Sequence, residues 1–155
     1  NATLDVQIYG GPFVKRKVAD LLLAFLDNIG IAMSKAMESA GFHGPMSFKE
    51  LMKKPEGILS LGVKMGEGWL LTSEMIELIE TGYENIVCAQ PFGCLPNHIA
   101  GKGVVNRIRA KYPNANITAV DYDPSATKVN QENRIKLMLS VAKERLNKKN
   151  NSNEV

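Results

Sequence analysis

The chain has 155 residues, 45% hydrophobic and 23% charged, with a formal net charge of +3. That size and balance suit one soluble domain with a real core. The charge is too mild to argue for nucleic acid, two cysteines cannot build a disulfide framework, and no apolar run is long enough for a transmembrane helix.

No signal peptide is expected either, so the chain reads as cytoplasmic, in a reducing setting, with neither nucleic acid nor membrane as a partner. Leu4–Tyr9 alternates apolar and polar residues and predicts a strand, closed by Gly10-Gly11-Pro12. A long helix follows. Val14, Val18, Leu21, Leu22, Phe25, Ile29, Ala32, Met33, Ala36 and Ala40 recur at three- and four-residue spacing and form one apolar stripe. Gly30 is a place for a kink, and Gly41 for the stop. Ser47-Phe48-Lys49-Glu50 has capping-box spacing and predicts a short helix ending before Pro55. The Gly-rich segment 57–68 carries no clear pattern. From Trp69 to Thr81, the residues Leu71, Met75, Leu78 and Ile79 make a second helical stripe, with Gly82 beyond its end.

The last third is the clearest. Asn85–Gln90 predicts a strand with Cys88 and Ile86 on one inward face. A helix is expected from about Asn97 to Tyr112, with Val104, Val105 and Ile108 inward, broken by Pro113-Asn114. Asn116–Asp121 predicts another strand. Asp123-Pro124 is a good helix start, and the last helix carries Ile135, Met138, Leu139, Ala142 and Leu146 on one face. The polar segment 147–155 is expected to fray. Short strand–helix–strand crossovers imply parallel strands. The expected fold class is therefore α/β: a three-layer, small parallel sheet of three strands flanked by helices, flavodoxin-like or Rossmann-like, with a long N-terminal helix. The domain is read over residues 3–146, as a piece of a longer protein.

In such sheets ligands bind at the carboxyl ends of the strands. The turn after the 85–90 strand is Gln90-Pro91-Phe92-Gly93-Cys94-Leu95-Pro96-Asn97-His98. The loop after the next strand offers Asp121, Asp123 and Ser125. If the two strands are neighbours, a thiol, an imidazole, amides and carboxylates meet at one edge. Cys94 then has three readings: packing under its turn, a metal ligand, or a nucleophile served by His98. Cys88 reads as a buried core thiol. His98 and Asp121 are the candidates for proton transfer, against plain helix-start and strand-end roles. Asp123 reads as a cap. Lys102 reads as a solvated helix residue, because Gly101-Lys102-Gly103 lacks the spacing of a phosphate loop. Gly101 and Gly103 suggest close packing. Asn130, Gln131 and Asn133 read as a solvated face.

Three stretches carry a family resemblance. Met65–Leu71, Gln90–Ile99 with Gly101-Lys102-Gly103, and Asp121–Pro124 with Val129-Asn130-Gln131 and Asn133–Met138 resemble the C-terminal region of the large 2-hydroxyacyl-CoA dehydratase activase-related proteins. That region is similar to subunits of 2-hydroxyglutaryl-CoA dehydratase and benzoyl-CoA reductase. The resemblance covers residues 57–146 most strongly. It implies a flavodoxin-like domain in which Cys94 helps hold a [4Fe–4S] cluster, with Gln90, Gly93, Asn97, His98 and Asp123 around the cofactor. It also implies that the other cluster ligands and an ATP site lie on other domains of the same polypeptide, and that acyl-CoA dehydratase subunits are partners. The implied activity is ATP-driven electron transfer toward radical dehydration of a 2-hydroxyacyl-CoA in anaerobic metabolism. The rival expectations are a non-catalytic interaction domain and a thiol hydrolase or transferase built on Cys94 and His98.

Overall fold

A computed structural model describes residues 10–122 and 127–152. The strand expected over Leu4–Tyr9, the Asp123-Pro124 helix start and Ser125 lie outside the described residues. In order, the elements are α1 (Phe13–Ser39), α2 (Phe48–Leu51), α3 (Trp69–Glu80), β1 (Asn85–Pro91), an irregular helical stretch (Asn97–Val104), α4 (Val105–Lys111), β2 (Asn116–Tyr122) and α5 (Lys128–Ser152).

β1 and β2 pair in parallel from Asn85↔Asn116 to Pro91↔Tyr122, and they are the two strands of the sheet among the described residues. The fold is thus a small α/β arrangement with a long N-terminal helix. Alternation along β1 turns Ile86, Cys88 and Gln90 inward. In-register neighbours of parallel strands share a face, so Ile86 and Ile117 meet there. They form one core with Ile76 and Ile79 of α3 and Val104, Val105 and Ile108 around α4. On the other strand face, Asn116 donates to the Met138 carbonyl of α5 (2.9 Å) and to Asn85 (2.8 Å). Of the apolar face of α5, Met138 is buried, whereas Leu139 and Leu146 are exposed. With two strands beneath it, α5 covers β2 and projects past the sheet, continuing to Ser152 through the polar residues expected to fray.

α3 is rotated from its expected stripe. Leu78 is exposed, while Thr72, Ser73 and Ile76 are buried. The buried hydroxyls are satisfied locally: Thr72 donates to Ala100 (2.7 Å) and Ser73 to Trp69 (3.2 Å). Trp69 is fully packed, edge-on to Phe48 with ring centroids 5.6 Å apart, and so ties α2 to α3. The Ser47–Glu50 cap forms as its spacing predicts, with the Glu50 amide and carboxylate both engaging the Ser47 hydroxyl.

α1 departs furthest from expectation. None of its residues is buried, and eleven large apolar side chains stand exposed along it. Periodicity shows that a helix face wants cover; it does not show that this part of the chain supplies it. α1 touches the rest of the chain through Ser34, which donates to the Pro45 carbonyl (3.4 Å), and through Asp27, 3.7 Å from Lys49.

The helix expected over 97–112 is regular only from Val105. Asn97–Gly101 forms a wide π-type turn, in which the Lys102 amide reaches back to Asn97, and a tight turn over Lys102–Val104 follows. The stretch is tightly packed, against β1 at Gly101 and on itself at Gly103. A Cβ on Gly101 would lie 3.0 Å from the Cys88 sulfur, and one on Gly103 3.0 Å from the His98 carbonyl. Gly101→Ala is therefore expected to lower stability by about 1–2 kcal/mol. Cys88→Ala removes the obstructing sulfur and should recover part of that loss. Urea unfolding of both single variants and the double variant should give a coupling of at least about 0.5 kcal/mol. Simple additivity would show that sulfur and glycine do not compete for space.

Tyr112, at the end of α4, donates its hydroxyl to Glu80, which also receives Lys54. Burial first, then the Glu80 carboxylate, push the phenol up to about 12. The folded pKa lies above the ordinary tyrosine value of about 10. Its stabilising contribution is therefore whole below about pH 10 and lost as pH climbs toward about 12. Tyr112→Phe should flatten that alkaline decline in urea midpoint. An identical decline in the variant would refute this assignment.

Candidate functional site

The parallel pairing brings the turn after β1 and the end of β2 to one edge, with Gln90 in register with Asp121. Gln90 ends the inward row of β1 and is 0% exposed. Its Nε2 donates to the Asn97 carbonyl (2.9 Å), which fixes the start of the wide turn. Gly93 has φ +71, a left-handed conformation that a glycine adopts without strain. The chain can therefore reverse, and the Cys94 amide bonds back to Pro91 (3.1 Å). Cys94 is half-buried, and Asn97 Nδ2 donates to its Sγ at 3.1 Å. On either side of it, Phe92 and Leu95 are exposed. Gly66 lies against this turn, since a Cβ there would be 3.0 Å from the Pro96 ring. The Met65–Gly68 loop thus borders the site.

His98 bonds the Cys94 carbonyl through Nδ1 at 2.8 Å. A carbonyl only accepts, so Nδ1 carries the proton, and the neutral ring keeps its lone pair on Nε2. Nε2 faces Asp121 Oδ1 at 3.9 Å, which becomes an ion pair when the ring is protonated. The Lys102 ammonium is 3.9 Å from Asp121 Oδ2. Lys102 is therefore part of the cluster, although the sequence placed it on a solvated face. Gln131, also read as solvated, donates to the Asp121 carbonyl (3.2 Å) and holds α5 to the end of β2. Nothing in the order of residues marks that bond; it depends on how far α5 lies from β2.

Cys94, Gln90, Gly93, Asn97, His98 and Asp121 therefore gather at one edge, while Asp123 and Ser125 lie outside the described residues. Among the described residues, three buried side-chain atoms have no hydrogen-bond partner, and two of them, Gln90 Oε1 and Asp121 Oδ1, belong here. Buried polar atoms are paired in most proteins, so two such atoms at one edge set it apart among the described residues. The thiol–imidazole approach that a Cys94–His98 nucleophile needs is not seen. The sulfur takes Asn97, and the ring takes the Cys94 backbone.

The second thiol behaves differently. Cys88 is buried, as its strand position predicts, and burial followed by the Asp121 charge pushes its pKa up. It is a neutral packing group. Among the described residues no three His, Cys, Asp or Glu side chains gather in a way that could hold a metal ion. Cys94 is thus the chain's one accessible thiol donor. None of the chain's helices, among the described residues, is long and apolar enough to cross a membrane.

No family model matches the chain, and no curated protein or solved structure is significantly similar to it.

Proposed function

We propose that this chain is the dehydratase-like domain of a protein related to the 2-hydroxyacyl-CoA dehydratase activases, with a flavodoxin-like three-layer plan. In this reading Cys94 supplies one thiolate to a [4Fe–4S] site completed by cysteines of other domains of the same polypeptide. One observation carries it: a half-buried thiol sits in a turn beyond a parallel strand, with an amide N–H directed at its sulfur. Hydrogen bonds to cysteine sulfur are a main means by which proteins tune iron–sulfur centres. The donor set fits the group in part, one thiolate of four, since Cys88 is occupied in the core. Bound there, the cluster would supply one-electron chemistry. ATP would bind on a separate domain. The exposed Phe92 and Leu95 suit a neighbouring domain closing over the turn.

The chain's own residues then have assignable work. Gly93 lets the turn present Cys94 outward. Asn97 draws charge from the sulfur, and Gln90 holds Asn97. His98, Lys102 and Asp121 form a polar, charged flank beside it.

The test is metal content of the longest natural polypeptide that contains this chain, purified without oxygen. Cys94→Ala should lose more than half of its iron and sulfide, and Cys88→Ala should keep them. Full iron in Cys94→Ala, or no iron in the unsubstituted protein, would overturn the reading. The exposed face of α1 would then favour the interaction-domain alternative.

A further inference from the structure

Away from the strand ends, α1 and the segment through α2 enclose an open groove of about 910 Å³. Leu22, Leu23 and Leu26 of α1 form one wall, and Phe48 and Leu51 of α2 form the other. Gly30 lies in the α1 wall, where an added Cβ would meet nothing within 4 Å. The groove is thus an apolar trough whose α1 wall is opened by a missing side chain.

Its rim is acidic. Asp27, Glu38, Glu50 and Glu77 line it, against a single lysine, Lys35. Asp27 is offset by Lys49 at 3.7 Å. Glu38, Glu50 and Glu77 accept hydrogen bonds from Ser34, Ser47 and the Met46 amide. None of these three carboxylates has a cation within ion-pair distance among the described residues.

We propose that this groove docks one amphipathic helix, apolar on the buried face and Lys/Arg-rich along its flanks. The shape follows from the walls. The lining runs along α1 from Ala19 to Glu38 and faces Phe48 and Leu51, an apolar channel between two helices. A partner helix enters such a channel with apolar anchors at i, i+3 or i+4, and i+7, the usual mode for a helix in a groove. The charge follows from complementarity, because acidic flanks select a basic partner and speed its encounter. This surface is independent of Cys94 and of the cluster reading.

The probe is a fluorescein-labelled helical peptide of leucine and lysine, leucines on one face, titrated against the full chain by fluorescence anisotropy. A leucine/glutamate twin is the comparison. The leucine/lysine peptide is expected to bind one per chain and to weaken roughly tenfold as salt rises from low to physiological strength. The leucine/glutamate twin should bind at least roughly tenfold more weakly. Gly30→Leu fills the trough and removes a helix-weakening glycine, so it should block binding while leaving the fold at least as stable. Glu38→Lys should weaken the peptide similarly. Equal binding of the two peptides, or unchanged affinity in Gly30→Leu, would overturn the proposal. So would a chain that dimerises in sedimentation and becomes monomeric in Gly30→Leu, since the occupant would then be a second copy.

Discussion

Gly68→Ala is expected to lower the unfolding free energy by at least about 3 kcal/mol. Gly68 has φ +52 and ψ −126, where a side chain of the natural hand is strained. Space compounds the strain. A Cβ there would lie 2.2 Å from the Val63 carbonyl oxygen and 2.9 Å from the Lys64 Cα. Both are backbone atoms, so no rotamer change relieves the contact. The Trp69 amide donates to that same Val63 carbonyl at 2.7 Å, which leaves the loop little freedom to open. Loss of this geometry would release the first turn of α3 and Trp69 with it. Urea unfolding followed by Trp69 fluorescence, the chain's one tryptophan, reads the effect directly. A loss under about 1 kcal/mol with an unchanged urea dependence would show that the loop relaxes freely.

Ile108→Ala is expected to cost about 3–4 kcal/mol, within the range for truncating a fully buried isoleucine. Ile108 is 0% exposed and belongs to the core cluster that joins α3, α4 and both strands. Few small domains hold more than about 15 kcal/mol in total, so this change would take a large share of the stability. Ile108→Val, which removes one methyl group, should cost about 0.5–1.5 kcal/mol. Leu78→Ala, on the exposed side of α3, should cost under about 1 kcal/mol. Equal costs at Ile108 and Leu78 would mean that the core lies elsewhere.

These two positions differ in how visible they are in sequence. Ile108 follows from helical spacing around Val104 and Val105, and Cys88 from alternation along its strand, because both patterns are local. Both described strands, α3 and the gathering of Gln90, Cys94, Asn97, His98 and Asp121 were legible for the same reason: short crossovers bring successive strand ends to one edge. Gly68 was legible only as one glycine of a segment without clear pattern, because the contact that demands glycine comes from Val63, across a fold-back that spacing does not encode. The wide turn at Asn97–Gly101 depends on Thr72 and Cys88, residues on two other elements. The sheet-side roles of Lys102 and Gln131 were hidden in the same way. The stripes of α1 and α5 were legible as stripes, but spacing does not encode how much of each the rest of the chain covers.

The bare face of α1 has a consequence for how the chain breathes. A helix of 27 residues with none buried draws little stability from the core. Its amides should exchange with solvent through local opening, whereas those of β1 and β2, clamped between α3, α4 and α5, wait for the whole core to open. The molecule therefore has two stabilities rather than one. A partner that covers α1 would merge them, converting a loosely attached arm and a firm body into a single cooperative unit.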